Sequence, residues 1–273
     1  MDYLGHLFSV SGKTALVTGG ATGIGRMAAE ALVRAGARVL IASRKADACV
    51  AVAKEINALG ASGSCEGFGG DVGTEAGVAA LAAEVKARTQ RLHILVNNAG
   101  KSWGEPLDKF PFKAWDGVMS VNVAGLFTLT RELLPLLEVS GSLDDPARVI
   151  NLGSVMGMIP IAGDAYSYSA SKAAVHHLTR ILAFEFANRH VTVNAFAPGP
   201  FQSRMMAFAV GTEEKAAKTA KGVPMRRIGR PDDIAGALLF LCGRGGSFIT
   251  GAILPIDGGI SAEAGHAPFE GAD

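Results

Sequence analysis

The stretch TGGATGIG at residues 18–25 decides the fold of this chain. It follows the apolar run ALV at residues 15–17 and opens into a helical pattern over residues 24–35. Glycines here let the chain turn sharply and let backbone N–H groups approach a pyrophosphate, while the helix N-terminus stabilises the negative charge. A plain glycine-rich turn is the alternative, but the start of a strand–helix series favours nucleotide binding. The expected contacts are Gly19, Thr22, Gly23, Ile24 and Gly25.

The rest of the chain repeats this alternation of short apolar runs and amphipathic helical patterns. Further apolar runs lie at residues 39–41, 92–96, 148–152, 191–195 and 252–256. Alternating strands and helices indicate βαβ units around a parallel sheet, and almost entirely apolar strands indicate helices on both faces. We therefore predict an α/β fold, a doubly wound parallel sheet, that fills residues 1–273 as a single domain.

Two segments fall outside this rhythm. Residues 201–229 interrupt the series before its last unit, and an insertion at that place is a candidate substrate lid. Residues 261–273 are rich in Ala and Gly and mildly acidic. We expect them to form a loosely held C-terminal tail.

Composition excludes several classes of protein. The chain has 273 residues and a net charge of +1, which argues against a nucleic-acid binder with a broad basic field. The cysteines Cys49, Cys65 and Cys242 are far apart, so a disulfide framework or a zinc site is not expected. No signal-peptide pattern and no apolar run of about 18 residues is present. We expect a cytoplasmic protein with no metal and no membrane partner.

The second apolar run ends in Ser43 and Arg44. A cofactor with a free ribose 2′-hydroxyl is typically held by a carboxylate at this place, whereas an arginine suits a 2′-phosphate. A solvated basic turn is the alternative interpretation. The residues favour NADP(H) over NAD(H).

One tyrosine–lysine pair has the spacing for acid–base chemistry. Tyr168 and Lys172 lie four residues apart and so share one face of a helix. An ammonium beside a phenol favours the phenolate and lowers its pKa, which suits proton transfer near neutral pH. Tyr166 has Ala170 at the matching position and is not a candidate.

Two further polar residues accompany the pair. Ser154 follows the strand pattern at residues 148–152, and strand ends of a parallel sheet form the ligand crevice. Asn122 lies in an otherwise apolar helical pattern, where a hydrogen-bonded core residue is the alternative. His176 and His177 follow Lys172 by one turn, and without a third ligand we interpret them as surface or subunit-contact residues.

Together these motifs resemble the classical short-chain dehydrogenase/reductases over essentially the whole chain. The resemblance rests on the glycine loop, on DV at 71–72, NNAG at 97–100, PG at 198–199 and the Ser154/Tyr168/Lys172 set with Asn122. It implies a Rossmann fold with a seven-stranded parallel sheet, an NADP(H)-dependent enzyme and a homotetramer.

The resemblance also implies a role for each site residue. Tyr168 would be the general acid in carbonyl reduction, Ser154 would orient the substrate carbonyl, and Lys172 would lower the Tyr168 pKa and hold the nicotinamide ribose. Asn122 would position a relay water. The cofactor contacts that it adds are Asp71, Val72, Asn98, Ala99, Gly100, Pro198, Gly199 and Ser203, the last in place of the usual threonine.

Within the family the chain is most similar to 3-ketoacyl reductases of the rhamnolipid-precursor type. Large apolar side chains would suit an acyl chain, although ordinary core or loop positions are the alternative. These pocket candidates are Trp103, Met156, Met158, Ile159, Phe201, Met205 and Phe208. The regions expected to offer arginines to an acidic carrier, residues 138–145 and 183–186, are acidic or apolar instead. Acyl-CoA or a free hydrophobic ketone is therefore as plausible as an acyl-carrier protein.

Two alternatives stay open. The first is an alcohol or sugar-alcohol dehydrogenase of the same family. The second is a non-catalytic NADP(H)-binding protein, which would not require all four residues of the Ser154, Tyr168, Lys172 and Asn122 set.

Overall fold

The computed structural model describes residues 3–161, 163–203 and 205–262. These residues form one parallel sheet of seven strands in the order β3-β2-β1-β4-β5-β6-β7. The strands are β1 (Thr14–Thr18), β2 (Arg38–Ser43), β3 (Ser64–Gly69), β4 (Ile94–Asn97), β5 (Ala147–Leu152), β6 (Val191–Pro198) and β7 (Ile253–Ile256). The strand order reverses direction between β1 and β4, where open α/β sheets bind their ligands. The predicted doubly wound α/β fold is confirmed.

Helices connect the strands and cover both faces of the sheet. They are α1 (Tyr3–Phe8), α2 (Gly23–Arg34), α3 (Ala46–Asn57), α4 (Glu75–Arg88), α5 (Phe112–Met119), α6 (Leu126–Glu138), α7 (Tyr166–Phe186), α8 (Ala207–Val210), α9 (Glu213–Lys221) and α10 (Pro231–Cys242). Within the described residues no helix combines the length and apolar character needed to cross a membrane.

Alternate residues of the strands contribute to two separate hydrophobic cores, one on each face of the sheet. Ala15 and Val17 of β1 point into a core shared with α2, α3 and α10, whereas Leu16 points into a core shared with α4, α6 and α7. All five residues of β1 are buried. A sheet covered on both faces therefore explains why its central strands are apolar throughout.

Strand β3 lacks the apolar run that marks the other strands, and the sequence pattern did not predict it. Only Cys65 and Phe68 of its residues SCEGFG are buried, because β3 lies at the edge of the sheet. Gly67 brings the strand against α3, where an added Cβ would overlap the Cys49 backbone carbonyl.

The apolar helix predicted around Asn122 contains a π-helical turn. Helix α5 continues into this turn, Ser120–Gly125, which leads into α6. Gly125 lies against the backbone of Val72, and a Cβ there would overlap the Val72 carbonyl oxygen. The wider turn buries Asn122, which is 1% exposed.

The two segments outside the strand–helix rhythm have some structure of their own. Residues 201–229 hold α8 and α9, and their ends meet in a bridge between Phe201 and Gly229. The start of the expected tail is held in place, because Ser261 donates its N–H to Asp257 Oδ2 at 2.8 Å. The remaining tail, residues 263–273, lies outside the described residues.

Candidate active site

The glycine loop between β1 and α2 is a close-fitting backbone cradle. Gly19 and Gly23 have φ values of +66° and +53°, which L side chains rarely adopt. At Gly25 an added Cβ would overlap the Gly19 carbonyl and the Asn98 amide. Thr22 has an extended backbone and caps α2, so the loop leads directly into the helix N-terminus. The geometry fits a pyrophosphate group.

Thr18 and Asn98 fix this cradle to the end of β4. Thr18 Oγ1 accepts the N–H groups of Asn98 and Ala99 at 3.1 and 3.0 Å. Asn98 Nδ2 donates in turn to the carbonyls of Thr18 and Gly19, at 2.8 and 3.2 Å. Asn98 therefore shapes the loop, and Thr18 is a supporting residue that the sequence interpretation did not single out.

The carboxyl ends of β2 and β3 lie side by side, next to the glycine loop at the end of β1. Ser43 pairs in register with Gly69, two residues before Asp71. The Ser43 hydroxyl contacts Cys49 Sγ at 3.1 Å, and Asp71 Oδ1 accepts the Gly73 N–H at 2.9 Å. Arg44 is exposed, and none of the described residues forms an ion pair with it. An exposed guanidinium beside Ser43 fits a phosphate on the ribose 2′ position.

Ser154, Tyr168 and Lys172 come together at the ends of β5 and α7. The Ser154 hydroxyl hydrogen-bonds the Tyr168 phenol, and Lys172 Nζ lies 5.5 Å from the centre of the Tyr168 ring. The ammonium donates to the Leu152 carbonyl oxygen at 2.5 Å. Burial lowers the pKa of Lys172 to about 8.

The expected lowering of the Tyr168 pKa by Lys172 is not what this structure gives. Burial of the phenol raises its pKa, and the hydrogen bond from Ser154 opposes that rise. Removing a phenolate from water is costly, and a lysine whose own charge is disfavoured by burial does little to compensate. The spacing of the pair is as predicted, but the direction of the pKa shift is not.

Asn122 is buried and holds the segment after β4 next to α7 by hydrogen bonds. Its Oδ1 accepts the Lys101 N–H at 2.8 Å, and its Nδ2 donates to Lys101 O and to Ser171 Oγ, both at 2.9 Å. A Cβ at Gly100 would lie 3.5 Å from Asn122 Oδ1 and 3.8 Å from Lys172 Nζ, so both side chains flank Gly100. The role of Ser171 in holding Asn122 had no signal in the sequence.

The turn after β6 reaches back to the glycine loop. Pro198 ends β6, and Gly199 donates its N–H to the Ile256 carbonyl at 3.0 Å. Ser203 packs against Gly23, where an added Cβ would lie 2.8 Å from the Ser203 Cβ. Val72, at the opposite end of the site, is buried. The predicted cofactor residues thus line one crevice above the carboxyl ends of the strands.

The apolar pocket candidates divide into two groups. Met158, Met205 and Phe208 are exposed, at 41%, 37% and 74%, while Trp103, Met156 and Ile159 are half-buried. The Trp103 indole N–H is buried and has no hydrogen-bond partner among the described residues. Phe201 is 2% exposed and packs in the core of α2 and α10, so the alternative interpretation, a core residue, holds for it.

The interpretation of His176 as a surface residue is wrong. Its side chain is 4% exposed, and Nε2 accepts the Ser154 backbone N–H at 3.4 Å. His177, its neighbour, is exposed. The described residues contain no cluster of three His, Cys, Asp or Glu side chains that would hold a metal.

Comparison with known proteins places this site in a family. The family profile described as Enoyl-(Acyl carrier protein) reductase matches residues 19–261. The rhamnolipids biosynthesis 3-oxoacyl-[acyl-carrier-protein] reductase of Pseudomonas aeruginosa is 44% identical over 93% of this chain and 98% of its own length. The gluconate 5-dehydrogenase of Gluconobacter oxydans is 34% identical over 93% of this chain and 97% of its own.

Solved structures agree with the sequence relatives. The Pseudomonas aeruginosa RhlG/NADP active-site complex superposes with a TM-score of 0.89 at 44% identity, covering 94% of this chain and 99% of that one. A putative NAD(P) dependent gluconate 5-dehydrogenase from Beutenbergia cavernae with bound NADP gives 0.83 at 34% identity, with the same coverage. The chain therefore belongs to the short-chain dehydrogenase/reductase family and is an oxidoreductase of that family.

Proposed function

We propose that this enzyme uses NADP(H) to reduce a ketone to a secondary alcohol, with a 3-ketoacyl thioester or another hydrophobic ketone as substrate. The cluster of Ser154, Tyr168 and Lys172 carries the proposal, because it brings a phenol into hydrogen-bond contact with a serine hydroxyl beside a buried ammonium. The 44% identity to a 3-oxoacyl reductase supports the substrate class. The exposed apolar side chains of Met158, Met205 and Phe208 suit an acyl chain.

Each side chain then has one task in the reaction. The nicotinamide cofactor supplies the hydride that adds to the carbonyl carbon. Tyr168 donates its phenolic proton to the carbonyl oxygen, and Ser154 hydrogen-bonds the same oxygen to orient it. Lys172 would hold the nicotinamide ribose. Asn122, held by Lys101 and Ser171, keeps a relay water near Lys172 through which the proton is replaced.

The cofactor form follows from the end of β2. Ser43 leaves no carboxylate to repel a 2′-phosphate, and Arg44, which forms no ion pair within the described part of the chain, supplies a charge-assisted donor. Gly19, Gly23 and Gly25 would hold the pyrophosphate, with Asp71 and Val72 beside the adenine. Pro198, Gly199 and Ser203 would approach the nicotinamide.

The remaining expectations become proposals of the same kind. We assign the substrate lid to residues 201–229, whose ends are joined by the bridge between Phe201 and Gly229. The chain is a single domain, acts in the cytoplasm and associates as a homotetramer. Phe184 and Ile181, three residues apart on α7, are 90% and 47% exposed, and neighbouring exposed apolar side chains on one helix face support association.

The substrate class is tested by following NADPH absorbance over a panel of ketones. We expect turnover with 3-ketoacyl-CoA thioesters and a lower kcat/KM with sugar ketones such as 5-ketogluconate. The reverse order would favour the sugar-alcohol alternative, which the gluconate 5-dehydrogenase relatives also make reasonable. No turnover of any ketone by a protein that binds NADPH would contradict the proposal.

Substitution of Tyr168 tests the assignment of the proton donor. Tyr168→Phe should lower kcat by a factor of about 10²–10⁴, the usual contribution of a positioned acid, while the NADPH dissociation constant stays near that of the parent. Tyr166→Phe is the matched control, because Tyr166 lies on the same helix and packs its ring against Phe110 instead. A kcat for Tyr168→Phe within a few-fold of the parent would show that another group donates the proton.

A further inference from the structure

A buried histidine lies directly behind the turn that carries Ser154. His176 is on α7, one helical turn after Lys172, and is 4% exposed. Its Nε2 accepts the backbone N–H of Ser154 at 3.4 Å. The Gly157 backbone also hydrogen-bonds the imidazole. Since Nε2 accepts a hydrogen bond, Nδ1 carries the proton of the neutral ring.

Two glycines bring this turn into contact with α7. At Gly153, an added Cβ would overlap His176 Nε2 and lie 2.5 Å from its Cδ2. At Gly157, an added Cβ would lie 2.6 Å from the Lys172 carbonyl carbon. The turn is therefore pressed against the histidine ring at one end and against the Lys172 backbone at the other. The imidazole fills the space between them.

This contact bears on the hydroxyl that touches Tyr168. The Ser154 Oγ accepts the Met156 N–H at 3.2 Å within the turn and hydrogen-bonds the Tyr168 phenol. The direction of that hydroxyl depends on the Ser154 backbone. His176 holds this backbone in place, because its Nε2 accepts the Ser154 N–H. A shift of about 1 Å in a positioning group can reduce a rate about a hundredfold.

We propose that neutral His176 is a positioning residue that fixes the Ser154 turn, so that its protonation misaligns Ser154 and gives the reaction an acid limb. This inference rests on the proposed function of Ser154 and Tyr168. A protonated ring has N–H groups at both nitrogens, so Nε2 no longer accepts from Ser154 and the two donors repel each other.

The surroundings of His176 favour its neutral form. Burial lowers its pKa, and the cations Lys172 and Arg180 on the same helix lower it further, while the Gly157 hydrogen bond opposes them. The residues that pack against the ring from 153–157 and from β6 carry no titratable side chain. His176 is therefore an acceptor at neutral pH and changes state on acidification below its ordinary range.

Two variants separate positioning from simple packing. His176→Gln keeps an acceptor near the Nε2 position but does not titrate, whereas His176→Leu fills the space without an acceptor. We expect His176→Leu to lower kcat by about 10- to 100-fold, within the range expected for lost alignment, with the NADPH dissociation constant within twofold of the parent. His176→Gln should recover most of the kcat and lose the acid limb of the pH profile. His177→Leu, at the exposed neighbour, is the control.

A second measurement does not depend on turnover. Amide hydrogen exchange of a peptide covering residues 153–157 should be faster in His176→Leu than in the parent and in His177→Leu, because the Ser154 N–H loses its acceptor. Unchanged exchange, or a parent acid limb that persists in His176→Gln, overturns the inference. Absence of turnover in the parent itself would instead refute the proposed function, and the exchange result would still decide the role of His176.

Discussion

Lys172 illustrates a conflict between stability and function in a single side chain. It is 4% exposed, and its ammonium has one described acceptor, the Leu152 carbonyl. No carboxylate of the described residues pairs with it, and burial lowers its pKa to about 8. A buried, unpaired ammonium destabilises a fold. Its place beside Tyr168 therefore points to a chemical requirement.

Replacing this lysine by an apolar residue should stabilise the protein while it abolishes turnover. The folded-state pKa of about 8 lies below the ordinary lysine value of 10.5, so between these values the unfolded chain binds more protons than the folded chain. The penalty is greatest below about pH 8 and disappears as the pH rises toward 10.5. Lys172→Met should add on the order of 1–3 kcal/mol to the free energy of unfolding at neutral pH, offset by the lost hydrogen bond to Leu152.

Urea unfolding without cofactor measures this effect at about pH 7.5 and about pH 10. The difference between Lys172→Met and the parent should shrink at the higher pH. Lys54→Met on α3, an exposed lysine, is the control and should show no such change with pH. A variant that is less stable than the parent at both pH values would mean that the Leu152 hydrogen bond outweighs the burial of charge.

The proposed preference for NADPH over NADH is assigned to Ser43 and Arg44. A charge-assisted hydrogen bond to a phosphate contributes roughly 1.5–3 kcal/mol, or about tenfold to a hundredfold in affinity. The parent should therefore bind NADPH more tightly than NADH by about that factor. The double change Ser43→Asp with Arg44→Ala should reverse the preference, because a carboxylate accepts from a free 2′-hydroxyl and repels a phosphate. Nicotinamide fluorescence titrations measure both constants, and equal values in the parent would refute the assignment.

Residue identities at the site could be predicted from sequence, but their electrostatics could not. The spacing of Tyr168 and Lys172, and the position of Ser154 just after β5, follow from local periodicity. The raised pKa of Tyr168 and the position of His176 depend on burial, which is set by distant segments packing together. His176 follows a lysine that would itself be exposed on an isolated helix, so nothing local indicates that this face is covered.

At the scale of elements, the π-turn between α5 and α6 is the feature that shapes the site. Six residues, Ser120–Gly125, form the wider turn, and Asn122 within it reaches both Lys101 and Ser171. Such turns are frequent at functional sites because they displace a side chain from the regular helical register. The amino-acid pattern SVNVAG does not distinguish a π-turn from α-helix, so the sequence predicted only a continuous helix. Edge strand β3 was missed for a related reason, since its two buried residues, Cys65 and Phe68, form no continuous apolar run.

A glycine substitution tests how tightly this turn is packed. At Gly125 an added Cβ overlaps the Val72 carbonyl, so Gly125→Ala should destabilise the protein by about 1–3 kcal/mol, the usual result of overpacking. The shift would also move Asn122 and Val72, which should weaken NADPH binding. Gly236→Ala on α10 is the matched control, because no heavy atom lies within 4 Å of its added Cβ. That control should gain about 0.5–1 kcal/mol from helix propensity.

Chemical unfolding compares the two alanine variants with the parent. Loss of stability in Gly125→Ala together with a gain in Gly236→Ala supports the close contact between the π-turn and Val72. Equal effects of the two substitutions would mean that Gly125 is tolerant and that the turn adapts to a side chain.

On the scale of the whole molecule, the carboxyl and amino ends of the strands carry different groups of residues. The carboxyl ends of the strands carry the glycine loop, Ser154 and Lys172. The amino ends of the strands carry an ion network in which Asp145 Oδ1 accepts from Lys13 at 2.8 Å and from Arg148 at 3.0 Å. The ion pairs of Asp145 therefore lie at the amino ends of the strands, away from the buried ammonium of Lys172.

The contribution of Arg148 can be separated from activity by one substitution. This arginine is 0% exposed and ties β5 to the end of α10, donating to the carbonyls of Leu241 and Gly243, both at 2.9 Å. It also donates to the Pro146 carbonyl. Arg148→Leu removes the guanidinium donor from these carbonyls, of which that of Gly243 keeps only the Gly246 N–H among the described residues, and it removes one cation from Asp145. It should therefore lower the free energy of unfolding by about 3–5 kcal/mol.

Arg148 lies at the amino end of β5, whereas the site lies at the carboxyl ends of the strands. The NADPH dissociation constant of the folded Arg148→Leu variant should therefore stay within about twofold of the parent. Arg131→Leu is the control: its guanidinium is 57% exposed and pairs only with Glu132 among the described residues, and such surface pairs contribute about 0–1 kcal/mol. Urea unfolding and fluorescence titration on both variants give the two quantities separately. A large loss of cofactor affinity in Arg148→Leu, with stability unchanged, would mean that the two ends of the strands are coupled. The ion network at the amino ends would then also shape the site at the carboxyl ends.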